Sequence, residues 1–510
     1  MTTTLFRDVL VVAMDDEHGS DPFRSDVLVE GDRITAVQLD VPVPDGATVV
    51  DGRDRLLMPG LVNAHVHSWE AFFAGRYDNM PLELWMLLSY PILGLQPLPE
   101  HLIKLRTQLV AIESLKGGVT CLLDDVIESP GQSIEQLGAV FDGYREAGIR
   151  ANISGNIVDR YFTDTIPYAA EMLPAALLDQ VRATPPRTAA EYLDLSREAL
   201  ARFDGVDGLL RYVIAPSGPQ RCSDELLVAA AELADEHDTS LHVHVVETKV
   251  QAVTGQEFYG RTLVRHLAGL GVVSDRLTIA HGIWLTDDDI AVLGDAGASV
   301  AHNAISNQKL GAGIAPFRAL LDAGVNVALG SDGLSSNDSA RMFDVMKAAA
   351  LLHKVTTPDY TSWPSAHEVL WAATRGGARS ARLGDEVGAI APGRKADLVL
   401  LDMRTVAFTP LNDVRNHLVY CENGASIVSV MVNGVEVVAD GRCTQLDEDA
   451  VLAEIREHGP EILARHAEAE RANAAFAPYF EAIHRRCCEQ PIGINRYSGD
   501  ESGWVRPLHP

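Results

Sequence analysis

Short apolar runs bounded by turn residues open the chain and return near its far end. Asp8–Val12 is apolar, and Asp26–Glu30 is followed by Gly31-Asp32 and then Arg33–Leu39. This pattern predicts short strands, two of them joined by a turn at Gly31-Asp32. Far downstream, Ala396–Asp402 follows the turn residues Pro392-Gly393 and reads as a buried strand. Ile427–Val432 and Val435–Ala439 flank Asn433-Gly434, the signature of a type I′ hairpin. Each β-rich piece is too small to bury a core alone. The two are therefore expected to pack together as one small β-sandwich.

Between them the rhythm alternates. Strand-like runs occur at Leu61–His67, Val119–Asp125, Arg150–Val158, Leu210–Pro216, Ser240–Val246, Leu277–His281, Ser299–Asn303 and Val325–Asp332. Helical spacing fills the gaps at Glu100–Lys116, Ile134–Ala147, Ser223–His237, Gln256–Leu270, Thr286–Asp295, Phe317–Ala323 and Ala340–His353. Strands alternating with helices in this way predict an α/β fold, a (β/α)8 TIM-like barrel. A doubly wound sheet is the alternative, but no GxGxxG follows the first strand. Glu448–Arg486 has helical spacing rich in Ala, Glu, Arg and His, and Gln490–Pro510 is polar. The expected organisation is 1–58 and 391–447 as the two parts of the sandwich, 59–390 as the barrel, and 448–510 as a C-terminal helical extension and tail.

Composition narrows the function classes. Of 510 residues, 47% are hydrophobic and 22% charged, which suits a globular chain and excludes a mostly disordered one. Lys+Arg number 42 and Asp+Glu 71, a formal charge of −29. A nucleic-acid binder or a polybasic membrane-surface protein needs the opposite balance. The start, Met1-Thr2-Thr3-Thr4-Leu5, has no basic segment leading into an apolar core. No apolar run is long enough to span a bilayer. Cys121, Cys222, Cys421, Cys443, Cys487 and Cys488 form no CxxC pair, which reads as reduced thiols. A cytoplasmic location is expected.

Four strand ends carry the chemistry. His65-Val66-His67 ends the first barrel strand, and alternation points both imidazoles to one side. His244 ends the fifth strand, and Glu247 follows just past it, within reach of a water on a metal without being a ligand. His242 shares a face with His244 one layer deeper and reads as a hydrogen-bonded core histidine. His281 ends the sixth strand and Asp332 the eighth. The C-terminal rim is where barrel sites lie. One such ending would be a loop cap, but four together point to a site. Three imidazoles and a carboxylate (His65, His67, His244, Asp332) suit Zn²⁺, with Fe²⁺ or Mn²⁺ as alternatives. Such an ion lowers the pKa of a bound water towards ~7. Glu247 would take that proton and return it to the substrate. Trp69 and Trp85 are candidates to stack on a flat ring.

These motifs resemble the amidohydrolase superfamily. The resemblance starts at Met58-Pro59-Gly60-Leu61-Val62-Asn63-Ala64-His65-Val66-His67 and runs through His244–Glu247, Ala280-His281-Gly282 and His302–Leu310 to Gly330-Ser331-Asp332-Gly333. It covers roughly Asp8 to Arg442. The branch it resembles holds triazine chlorohydrolases and cytosine, guanine and adenosine-type deaminases. The resemblance implies one metal on His65, His67, His244 and Asp332, with Glu247 shuttling protons to a ring nitrogen. It implies that His281 orients the attacking water or the departing group, and that Asp332 accepts a proton from the water. The loop Asn303–Leu310, with Asn303 and Asn307, would line the pocket. Arg211–Pro219 contains no Lys, so the carboxylated lysine of two-metal members has no counterpart.

The expected activity is a hydrolytic deaminase of a nitrogen heterocycle, working as a homodimer or higher homo-oligomer. A chlorohydrolase on the same scaffold is one rival reading, and a non-catalytic ligand-binding protein another. Ser217 stands where adenosine-type deaminases carry a His, and Gly155 where they carry an Arg. Asn156 and Gln220 remain candidate pocket contacts. With −29 charges overall, these departures predict a compact uncharged ring in preference to a nucleoside.

Overall fold

The structure, a computed structural model, describes residues 2–156 and 158–498. Its centre is a TIM-barrel-type array of parallel strands. Leu61–His67, Val119–Val126, Arg150–Gly155 and Leu210–Val213 pair in that order. Leu241–Val245, Leu277–His281, Ser299–His302 and Asn326–Leu329 form a second parallel set. Two links join the sets: a bridge from Ile214 to Leu241, and pairing of Asp332-Gly333 with Val66-His67. Nearly every strand residue is buried, as expected where helices cover the outer face. The expected third strand, Arg150–Val158, ends at Gly155, and its Ile157 lies outside the described residues.

Helices form at most of the stretches with helical spacing. Glu100–Lys116 and Ile134–Ala147 have the expected bounds. Ser133 and Gln136 make a capping box at the start of the second, and Gly148 ends it in the left-handed region at φ 73°. The expected helix Gln256–Leu270 is two, Lys249–Tyr259 and Leu263–Gly269. Gly260 at φ 61° stops the first, and the Thr262 hydroxyl caps the second. Local capping overrode a continuous apolar pattern.

The expected sandwich is one continuous mixed sheet of nine strands. Arg55–Pro59 pairs antiparallel with Leu398–Asp402 and splices the two ends of the chain edge to edge. The sheet then curls, because the edge near Arg33 bridges Lys395. Its apolar face encloses a core of its own, including Phe6, Val9, Val29, Ile34, Leu398 and Met431. A buried ion pair fastens this sheet to the barrel. Arg150, at the start of the third barrel strand, donates to both Asp397 oxygens at 2.9 and 3.0 Å.

Among the described residues the C-terminal extension forms two α-helices, Glu448–Asn473 and Ala477–Cys488. They pin the segment after the first barrel strand. Tyr77 donates to Glu470 at 2.8 Å, Asn473 bonds the backbone of Ile92 and Leu93, and His484 lies 3.2 Å from Glu83. The expected tail extends beyond Ser498 and lies there outside the described residues. Among the described residues, no helix is long and apolar enough to cross a membrane.

Candidate metal centre and its cavity

The histidines meet through one end of each ring, because the other end is tied back. His67 Nδ1 donates to the Asp125 carbonyl at 2.7 Å, and His244 Nδ1 to the Ser217 carbonyl at 3.0 Å. His65 Nδ1 lies 2.9 Å from His242 Nε2, so His242 is the hydrogen-bonded supporting residue that was expected. The Nε2 atoms then converge. His67 and His244 are 3.3 Å apart, and Asp332 Oδ1 is 3.4 Å from both His65 and His67. Backbone groups that orient the far nitrogen of each ring are the usual support of a histidine metal ligand.

Rim geometry is strained where these groups sit. Val246, His281 and Asp332 have φ of 47°, 71° and 65°. His281 ends its strand, Val246 follows one, and Asp332 lies three residues past the eighth strand, which ends at Leu329 and not at Asp332 as expected. Asp and His tolerate this region, whereas a β-branched Val rarely occupies it. Such conformations cost about 1–3 kcal/mol each and persist only where the surroundings enforce them. Gly333 is also constrained, since a Cβ there would lie within about 2 Å of the Glu70 carboxyl group.

Burial and charge set the protonation states. His65 is pushed down to about 4 by burial, against the pull of Asp332. Burial also holds His244 well below its ordinary value, so both rings are neutral, as a ligand must be. Burial opposes ionisation of Asp332, but the neighbouring His65 and His281 imidazoles keep it well below the usual carboxylate range. Burial opposes a charge on His67 as well. Asp332, Glu70 and Asp125 outweigh that and raise it to about 9. The cluster therefore attracts positive charge. Among the described residues His65 Nε2 is buried with no hydrogen-bond partner, and the donors of His65, His67 and His244 lie within 4.8 Å of one another. A nitrogen and carboxylate set of this kind fits a mid-row divalent cation.

Glu247 and His281 stand beside the cluster. Glu247 Oε1 is 3.8 Å from His281 Nε2, which is 3.9 Å from Asp332 Oδ2. Burial raises the Glu247 pKa above the ordinary carboxylate value, in the direction useful for a group that gives and takes protons near neutrality. Gln251 brackets Glu247, accepting from its backbone N–H at 3.0 Å and donating to its carboxylate at 3.4 Å.

A cavity of about 580 Å³ opens over these groups. His67, His244, Glu247, His281 and Asp332 form its floor, and Trp85 and Asn156 also line it. Asn156 is engaged with Asp125 at 2.8 Å. The other candidate contacts lie elsewhere. Trp69 lines a neighbouring cavity with Phe73, Arg106 and His466. Gln220 lines a small recess with Glu83 and Gln251. Asn307 accepts from His281 Nδ1 at 2.9 Å, and Asn303 lies 3.3 Å from the same nitrogen. These two asparagines hold His281 from behind, outside the cavity lining.

Asp125, Gln251 and Glu70 join the site without having been singled out from the sequence. Asp125 ends the apolar run Val119–Asp125, the same strand-end signal that marked His281 and Asp332. Gln251 lies one helical turn after Glu247. Glu70 is held by Ser335 and Tyr90, partners far away in the chain, and no local pattern announces it.

The strand array and the histidine–aspartate centre define a metal-site hydrolase of the α/β barrel type. The chain belongs to the amidohydrolase family, whose model matches residues 56–437. Among curated relatives it is 32% identical over 470 residues to 5'-deoxyadenosine deaminase of Methanosarcina mazei, covering 91% of this chain and 99% of that one. It is 33% identical over 418 residues to 5-methylthioadenosine/S-adenosylhomocysteine deaminase of Thermococcus kodakarensis, covering 81% and 89%. Among solved structures, a zinc-bound adenosine deaminase from Xanthomonas campestris superposes with a TM-score of 0.79 at 29% identity, covering 91% and 99%. A zinc complex of atrazine chlorohydrolase from Arthrobacter aurescens also gives 0.79, at 26% identity, covering 90% and 100%.

Proposed function

We propose that this chain is a metal-dependent hydrolytic deaminase of an aminated purine carried by a small nucleoside, such as 5'-deoxyadenosine. The observation that carries this reading is one constellation. Three imidazole Nε2 atoms and Asp332 converge on a point at a cavity floor, with the buried Glu247 and His281 beside it. Relatives above 30% identity, matched over most of both chains, bear nucleoside deaminase names. That weighs against the free base expected from Gly155 and Ser217.

His65, His67, His244 and Asp332 would hold one divalent ion, zinc in the first instance. When bound, it supplies Lewis-acid activation of a water at neutral pH. The chain's own groups do the rest. Glu247 takes a proton from the attacking water and delivers it to the ring nitrogen beside the amino-bearing carbon. His281 is fixed by Asn307 so that its Nε2 faces Glu247 and Asp332, where it orients the incoming oxygen. The C-terminal helices clamp the segment that carries Trp85, which lines the cavity. Residues 59–390 form the catalytic unit in this reading.

The test is ammonia release by the zinc-loaded protein from 5'-deoxyadenosine, 5'-methylthioadenosine and adenosine, beside adenine and guanine. Nucleoside turnover is expected to exceed base turnover. Faster turnover of the bases would restore the compact-ring reading. No ammonia from any of them would overturn the deaminase assignment.

A further inference from the structure

The cavity above the metal centre carries positive charge that nothing in the reaction uses. Arg221, Arg187 and Arg160 all line it, in a chain whose formal charge is −29. Net charge describes the whole surface, whereas a ligand meets the local field of its cavity. The carboxylates lining the same cavity are occupied. Glu128 is paired with the buried Arg106, Glu70 is held by Ser335 and Tyr90, and Glu247 and Asp332 belong to the metal centre.

Arg221 is the deepest of the three by its contacts. It follows the fourth barrel strand, four residues beyond Ser217, whose carbonyl holds the ligand His244. Its guanidinium donates to the Ser217 hydroxyl at 3.3 Å and meets the Met86 sulfur at 3.2 Å. Among the described residues it has no ion pair with a carboxylate. Burial pushes its pKa down, with Glu247 pulling the other way. A guanidinium carries five donors in a planar fork, and here the two contacted groups are a neutral hydroxyl and a thioether. Arg160 donates to the Tyr259 hydroxyl at 3.2 Å, and among the described residues Arg187 has neither hydrogen bond nor ion pair. Holding a partly desolvated cation without an anion is costly, and an arriving anion offsets part of that cost.

We infer that Arg221, supported by Arg160 and Arg187, binds a carboxylate on the substrate and makes this site selective for a heterocycle bearing one. The inference rests on the deaminase reading above and names its substrate class. A monoanionic carboxylate matches the fork bidentately. It also brings less negative charge than a phosphate to a floor that already holds Glu247 and Asp332. The carboxylate has two sources: the 5' tail of a nucleoside, or a short arm on the ring itself.

Two isosteric pairs separate these sources. One is 5'-carboxymethylthio-5'-deoxyadenosine and its carboxamide, and the other is 9-carboxymethyladenine and its carboxamide. The readout is the ratio of kcat/KM, acid over amide, within each pair. For the zinc-loaded wild type we expect a ratio of about 10 or more in at least one pair, the discrimination typical of a charge-assisted bidentate contact. In Arg221→Met the ratio should fall to about 1, and Arg221→Lys should lie between. A ratio within an enzyme is insensitive to a general loss of activity. The pair showing the preference identifies the source.

A wild-type ratio near 1 in both pairs, with the amides deaminated, overturns the inference and leaves the deaminase reading intact. If no compound is deaminated, that reading falls. Calorimetric binding of the same acids and amides to wild type and Arg221→Met then decides the inference alone. Acid-selective binding that depends on Arg221 upholds it, and equal or absent binding overturns it.

Discussion

Replacing Glu247 with Gln isolates the proton shuttle from everything else at the centre. The amide has the volume of the acid and keeps an oxygen for the 3.4 Å bond from Gln251. The 3.0 Å bond from the Glu247 backbone N–H to Gln251 does not involve the changed group at all. What disappears is the ability to accept and return a proton. Positioned general acid–base groups contribute about 10²–10⁴-fold, and at 1.36 kcal/mol per decade that is roughly 3–5 kcal/mol of barrier. Turnover should therefore fall by about 10²-fold or more, with zinc content unchanged. The fold should not suffer. Burial raises the Glu247 pKa, so the folded metal-free protein binds this proton more tightly than the unfolded chain does. That interaction favours folding at low pH and fades as pH rises through the raised value. The amide never ionises, so the thermal midpoint of the metal-free variant at pH 8 should equal or exceed that of the parent. Ammonia release, elemental analysis and thermal melts are read on the same preparation. Loss of zinc in Glu247→Gln would make Glu247 a ligand and refute the role argued here. Turnover within about 10-fold of the parent would remove the shuttle from the mechanism.

The purified protein should carry about one divalent ion per chain, as expected for a single three-imidazole, one-carboxylate set. His67→Ala should lose both ion and activity, and two ions per active chain by elemental analysis would contradict the single-site reading. Arg150→Ala should lower stability by about 3–5 kcal/mol, because it leaves Asp397 buried and unpaired. Chemical denaturation showing a loss under about 1 kcal/mol would mean the pair does not fasten sheet to barrel. His353 packs against His302 at 3.2 Å, and burial pushes it down to about 4. Its folded pKa lies below the ordinary 6.5, so its contribution is present above pH 6.5 and is lost as pH falls towards 4. His353→Gln should flatten the fall in thermal midpoint across that window, and an unchanged pH slope would refute its part in it.

Much of this molecule was legible in its residues because the signals are local. Helical spacing gave the bounds of Glu100–Lys116 and Ile134–Ala147 without reference to any partner. Strand alternation put His65 and His67 on one side, and their Nε2 atoms do meet the same Asp332 oxygen. The strand-end rule led to His244, His281 and Asp332, since a parallel barrel brings its C-terminal ends to one rim whatever the loops do. Other features depended on approach between distant segments. The splice of Arg55–Pro59 to Leu398–Asp402 turned an expected sandwich into one curled sheet, because strand pairing is decided by which edges meet. Trp69 and Trp85 look alike in sequence, yet packing sent one to a neighbouring cavity and the other to the site. Asn303 and Asn307 ended behind His281 because the short helix Ala304–Lys309 turns them that way. The charge of the cavity was the least legible property. Composition fixes only a sum, −29, while the fold gathers Arg160, Arg187 and Arg221 from separate loops around one space.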